Sequence, residues 1–248
     1  MIVFHYTYII MAASYVLSGY YVNLIAITSL LLVHEFGHYI VAKIFNFNVL
    51  KIVIYPFGGI TKMNDLINKD INEELLIATS GVIFQFCFYL IVFYLNKLSI
   101  VRDYTFNIYT IYNNQIIFFN LLPIYPLDGA KIFNLLFSKF FNYNFSNKLT
   151  IILSFLIMVI FILTNTYNHN YSYFMVLSVL LFYNYKFIKE IKYIYNRFLL
   201  ERYLYNIEYS RLKVIDNYNK MYKNKSHIVR VGDRYFSEKK YLSKYYFK

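Results

Sequence analysis

The 248-residue sequence has no tryptophan, one cysteine, three prolines and seven glycines. A lone cysteine, Cys87, excludes an internal disulfide. So little glycine and proline excludes collagen-like repeats and Pro/Gly-rich disorder. Charge is scarce as well, at 15% of residues, against about 25% in soluble globular domains. What fills the chain instead is apolar and aromatic: 59% hydrophobic, including 30 Tyr and 25 Phe, with a mean hydropathy of +0.41. Such a composition predicts a membrane protein.

The few charges are unevenly placed. Sixteen of the 25 Lys and Arg, and six of the 13 acids, lie between Lys186 and Lys248, so this stretch carries ten of the twelve net positive charges. The preceding 185 residues are close to neutral. The division predicts a hydrophobic body over 1–188 and a small basic cytoplasmic tail over 189–248.

A helix needs about 20 residues to cross about 30 Å of hydrocarbon. Long apolar windows, mostly free of charge, predict an all-α polytopic fold with about six transmembrane helices, near 2–18, 22–43, 75–96, 105–123, 149–165 and 172–188. Lys43, Lys51, Lys62, Lys69, Lys131, Lys139, Lys148 and the whole tail then fall on one side, and only Lys97 and Arg102 on the other. By the positive-inside rule both termini are cytoplasmic in a multi-pass protein of the cell membrane. Residues 1–20 have no basic start and no evident small-residue cleavage site, so no cleavable signal peptide is expected. The tail from Ile191 reads as a juxtamembrane helix to about Leu212, then a strand at His227–Val231, a turn at Gly232-Asp233 and a helix from Ser237. Its interleaved basic and aromatic residues predict contact with anionic lipid; no nucleic-acid-binding motif is present.

Ionisable groups inside apolar windows are functional-site candidates by default, because a charge near the bilayer centre costs at least ~2.5 kcal/mol. The second window contains His34-Glu35-Phe36-Gly37-His38. Residues four apart share a helical face, so both imidazoles can reach one tetrahedral Zn²⁺, while Glu35 is turned about 100° away and can act on water without being a ligand. Chance gives about 0.003 such pentapeptides in a chain of this composition.

The second acid within apolar sequence is Asp128, in Asn120-Leu-Leu-Pro123-Ile-Tyr-Pro126-Leu-Asp128-Gly129. Two prolines here break any helix, which membranes accept where the freed backbone faces protein or a cavity. Asp128 reads either as a helix N-cap or as the third ligand of a His₂Asp site with one position open, the pattern of catalytic rather than structural zinc. Between windows two and three, Ile52-Val53-Ile54 favours a strand, and Pro56-Phe57-Gly58-Gly59 favours either a plain turn or a short re-entrant hairpin whose edge holds an extended peptide.

Together these three motifs resemble the site-2 proteases, and among them the branch of stage IV sporulation protein FB. The similarity covers roughly residues 1–205, including Phe198-Leu-Leu-Glu-Arg-Tyr203. It implies a zinc metalloendopeptidase performing intramembrane proteolysis of a membrane-associated protein. One zinc per chain would be held by His34, His38 and Asp128, with Glu35 as base. It further implies a sporulation sigma-factor precursor as substrate, inhibitory membrane partners, and a nucleotide-sensing domain of paired repeats. Three departures stand out. Only 45 residues follow Tyr203; the third window reads Ser80-Gly81-Val82 where Gly-Pro is frequent; and Asp128-Gly129-Ala130 replaces Asp-Gly-Gly.

Asn120, polar at membrane depth, is expected to bond the substrate backbone or help stabilise the oxyanion. Gln85 is a weaker candidate for that service and reads better as a helix–helix hydrogen bond. His5, His169 and His227 read as structural or surface residues. A transporter would also use broken helices and buried acids, but has no need of two imidazoles flanking a glutamate. A catalytically inactive membrane scaffold would be expected to have lost at least one of these groups.

Overall fold

The computed structural model describes residues 2–56, 58–165, 171–205, 207 and 209–246; Phe57 and His169 lie outside the described residues. In chain order the elements are β1 (Ile2–Phe4), α1 (Tyr6–Leu17), α2 (Tyr21–Ile44), β2 (Val49–Tyr55), β3 (Gly58–Met63), α3 (Ile71–Lys97), α4 (Asp103–Leu121), α5 (Asp128–Phe140), α6 (Tyr143–Asn165), α7 (Tyr171–Leu204), β4 (Leu212–Ile215), β5 (Ser226–Val231), β6 (Arg234–Ser237) and α8 (Glu238–Tyr246). The chain is mostly helical. Among the described residues, Tyr21–Ile44, Ile71–Lys97 and Tyr143–Leu163 are long and apolar enough to cross a membrane. It divides into two compact units, residues 1–65 with 76–121, and residues 66–75 with 122–248.

In the first unit, the opening of the first apolar window is a strand rather than helix. Ile2, Val3 and Phe4 pair in parallel with Ile52, Val53 and Ile54, and β2 pairs antiparallel with β3, giving sheet order β1-β2-β3. All but Phe4 of the six residues paired between β1 and β2 are β-branched, whose stiff side chains pack well on a pleated surface. His5 then ends the strand and caps α1, its ring accepting from the Thr7 N–H; it is structural, as its sequence context suggests. Ile52 and Ile54 pack with Tyr8, Ile27 and Leu31, fastening the sheet to α1 and α2. Where α2 passes α3, a β-carbon on Gly37 would lie 2.8 Å from the Ser80 carbonyl oxygen, so glycine is what lets the two backbones approach.

In the second unit, α5 starts at Asp128, after Pro123 and Pro126 have kept the preceding residues out of helix. Two helices hold that connection. Ser154 of α6 donates to the Pro123 carbonyl at 2.9 Å, and Asn184 of α7 donates to the Tyr125 carbonyl at 2.9 Å.

α7 continues through residue 188 and ends at Leu204, eight residues short of the expected Leu212. The C-terminal segment is more ordered than the expected strand, turn and helix. β4 and β5 pair in parallel, β5 and β6 antiparallel, and α8 follows. Ile215, Met221, Val229 and Leu242 bury themselves against Phe198 and Leu199 of α7.

Candidate metal centre

α2 carries His34, Glu35 and His38 at positions where the helix is buried rather than exposed; their exposures are 1%, 4% and 5%. One ligand atom from each lies within 4.8 Å of the others, a grouping able to hold a metal ion. The helical period produces it, since residues four apart stack on one face.

The protonation of the two rings follows from their neighbours. His34 Nδ1 lies 3.0 Å from the Gln85 amide oxygen, and His38 Nδ1 lies 2.6 Å from the Ile77 carbonyl oxygen. Neither oxygen has a proton to give, so each Nδ1 carries the ring proton and each Nε2 a lone pair. The two Nε2 atoms are 3.2 Å apart. Two converging imidazole lone pairs in a buried place suit a cation held between them. α3 leaves space on that side. A β-carbon on Gly81 would lie 2.8 Å from His34 Nε2 and closer still to His38 Nε2, so only glycine keeps the cradle open. Two neutral imidazoles with converging lone pairs and an adjacent carboxylate form a donor set that fits zinc.

Glu35 is held from the hairpin. Thr61 Oγ1 in β3 donates to Glu35 Oε2 at 2.7 Å. Two residues earlier in the same strand, a β-carbon on Gly59 would lie 2.6 Å from Glu35 Oε1, so the strand backbone rests directly on the carboxylate. Gly59 and Thr61 are on one face of β3 by the two-residue period.

Of the residues expected from sequence, His34, Glu35, His38 and Gly59 come together. Pro56 is in the turn joining β2 to β3, where Gly58 pairs with Tyr55; Phe57 lies outside the described residues. Asn120 is buried in the last turn of α4. Asp128 belongs to the second unit, is buried, and is the first residue of α5 rather than its cap, which is Leu127. Its Oδ1 accepts from Lys131 Nζ at 3.0 Å.

Sequence reasoning missed Thr61 and the part played by Gly81. Ile77, Gly81 and Gln85 are spaced four apart, so one face of α3 serves both imidazoles; that spacing was a readable signal. Gln85 does bond across helices, donating to Asn113 of α4 at 3.1 Å, while its oxygen faces His34.

The sequence profile of peptidase family M50 matches residues 22–102. Stage IV sporulation protein FB of Bacillus subtilis (strain 168) is 32% identical over 200 residues, covering 78% of this chain and 68% of that protein. A zinc metalloprotease of Methanocaldococcus jannaschii is 31% identical over 122 residues, 47% of this chain and 34% of that protein, so the match spans about a third of its length. A solved site-2 protease from Methanocaldococcus jannaschii has the same fold, with TM-score 0.59 and 23% identity, covering 75% of this chain and 90% of that one. The chain therefore belongs to peptidase family M50, the membrane metalloproteases of the site-2 type.

Proposed function

We propose that this protein is an intramembrane zinc metalloendopeptidase that cuts a membrane-associated protein. The observation that carries the reading is the pair of His34 and His38 Nε2 lone pairs converging on a cradle kept open by Gly81, with Glu35 beside them. His34, His38 and Asp128 are the residues we assign to one zinc ion per chain. The ion supplies Lewis acidity toward water and toward the scissile carbonyl. Glu35 accepts the proton of the attacking water and returns it to the leaving amine, and Thr61 keeps its carboxylate turned to that task. Asn120 serves the substrate backbone or the developing oxyanion.

Among the described residues β3 is an edge strand of sheet β1-β2-β3. Its edge, with the Pro56-Phe57-Gly58-Gly59 turn, is the surface we assign to an extended substrate, held by main-chain hydrogen bonds as an added strand. A helical substrate must unwind before hydrolysis, and an edge strand favours the unwound form.

About six spans with both termini cytoplasmic, a basic tail against anionic lipid, and membrane proteins that inhibit cleavage complete the reading. A sigma-factor precursor of sporulation is the substrate suggested by the resemblance to stage IV sporulation protein FB. The test is zinc content of the detergent-purified chain beside a His34→Ala/His38→Ala variant and an Asp128→Ala variant, followed by cleavage of membrane-bound precursors by wild type and Glu35→Gln. About one zinc per wild-type chain, lost in the double variant and loosened in Asp128→Ala, with cleavage abolished by Glu35→Gln, is expected. A well-folded wild type without zinc would return the chain to the scaffold reading.

A further inference from the structure

The two imidazoles are oriented by unlike partners. His38 leans on a main-chain carbonyl, that of Ile77, which no substitution can remove. His34 leans on a side chain, Gln85 of α3. We propose that Gln85, itself locked by Asn113 of α4, is the positioning residue that makes His34 a metal ligand; the proposal rests on the metal-centre reading above.

Gln85 is fully buried, and its amide could in principle present either oxygen or nitrogen to His34. Asn113 removes the choice. The Gln85 Nε2 group donates to Asn113 Oδ1 at 3.1 Å and lies 3.3 Å from the Asn113 carbonyl oxygen. A flipped amide would set its oxygen against both of those oxygens, a buried clash of acceptors. Gln85 Oε1 is therefore the atom that faces His34 Nδ1, at 3.0 Å. An acceptor there requires the ring proton on Nδ1, which leaves the lone pair on Nε2, toward His38 and the Gly81 cradle. A side chain on α4 thus sets the tautomer of a ring on α2, through an intermediary on α3.

Three consequences follow for a metal. The ring is delivered in the one neutral form that can ligate. Its rotation about the last side-chain bond is stopped. The polarised Nδ1–H raises the basicity of Nε2. Remove the acceptor and the Nδ1–H becomes a buried unpaired donor, better served by moving the proton to Nε2, where it opposes the cation.

The experiment measures zinc affinity of the full detergent-purified chain against a competing chelator, so no substrate is needed. Gln85→Leu keeps the bulk and removes the acceptor; zinc binding is expected to weaken by about 10–100-fold, the usual cost of losing a ligand's outer partner. Gln85→Glu keeps an acceptor on His34 if its other oxygen is protonated and donates to the Asn113 oxygens as the amide does; affinity near wild type is expected. Asn113→Ala removes one of the two acceptors that hold the Gln85 amide, leaving the main-chain carbonyl, and should fall between. Melting of the zinc-free forms shows whether each variant folds, and if Gln85→Leu does not, Gln85→Glu against Asn113→Ala decides. Zinc binding by Gln85→Leu equal to wild type, or Gln85→Glu as weak as Gln85→Leu, overturns the proposal while leaving the centre itself intact. A wild type that takes up no zinc, or a His34→Ala/His38→Ala variant that binds as tightly as wild type, overturns the metal centre and this inference with it.

Discussion

Thr61 Oγ1 donates to Glu35 Oε2 at 2.7 Å, so the strand proposed to receive a substrate also holds the carboxylate proposed as base. A hydrogen bond to a charged group stabilises by ~1.5–3 kcal/mol. Thr61→Val keeps the shape and removes the donor. It should lower kcat by about tenfold or more at little change in KM, because misaiming a base removes an interaction needed in the transition state. Thr61→Ser should recover most of the loss, and zinc content should be wild-type in both. A change confined to KM would assign Thr61 to substrate binding instead.

Two glycines should separate metal from base. At Gly81 a methyl group would fill the space in front of both Nε2 atoms, whereas at Gly59 it would strike the Glu35 carboxylate. Gly81→Ala is expected to lose zinc and cleavage together; Gly59→Ala is expected to keep zinc and lose cleavage. Elemental analysis beside a cleavage assay distinguishes them. Full zinc occupancy in Gly81→Ala would mean that the cation sits elsewhere.

The grouping of the candidate metal residues is legible because it needs only the helical period: His34 and His38 four apart, Glu35 between them, all in an apolar run. Thr61 is not, because nothing in the sequence says which helix a strand face will meet. The strand Ile2–Phe4 was hidden for a different reason. A short apolar run bordering a longer one has no periodicity to tell strand from helix, and its parallel partner Ile52–Ile54 is 50 residues away. A helix–helix hydrogen bond is legible at Gln85, a polar residue in an apolar window, but its partner Asn113 and its link to His34 depend on helix packing. In the tail, β5 and α8 carried clear strand and cap signals. β4 and β6 are four residues each and too short to declare themselves.

The tail should lose stability in acid. His227 Nε2 accepts from the Tyr222 N–H at 3.0 Å, so its proton sits on Nδ1, which donates to Glu238 Oε1 at 2.7 Å. Burial, and then the Arg202 charge, hold the His227 pKa below its ordinary value despite the Glu238 bond. Burial pushes the Glu238 carboxyl up, but the His227 hydrogen bond and the Arg202 charge outweigh it and bring the pKa below the ordinary value. In both cases the unfolded chain binds a proton more readily than the folded one, so stability rises with pH. It should be complete above about pH 6.5, decline as His227 is forced to charge, and decline further below about pH 4.5 as Glu238 is neutralised. Denaturant midpoints from pH 7.5 to 4 would show this. A midpoint that rises on acidification would contradict the neutral histidine.

Arg202 gives the last and largest expected effect on stability. Its side chain is wholly buried. Nε donates to Asn68 Oδ1 at 2.9 Å, Nη2 to the carbonyls of Tyr222 and Lys223, and Nη1 to the Lys225 carbonyl and to Glu238. Glu201 beside it accepts from the Ile67 and Asn68 backbone N–H groups, which gives a structural reason for the Glu-Arg pair after the last apolar window. Lysine has the charge but not the planar fork. Arg202→Lys should therefore strand several buried carbonyls and cost at least ~2 kcal/mol. Arg202→Met, which leaves Glu238 without its cation, should cost ~3–5 kcal/mol. The exposed pair Lys220–Asp216 is the control; Lys220→Ala should change stability by no more than about 0.5 kcal/mol. Limited proteolysis of the 189–248 segment gives a direct readout. If Arg202→Lys is as resistant as wild type while Lys220→Ala is not, the buried fork does not hold the tail together.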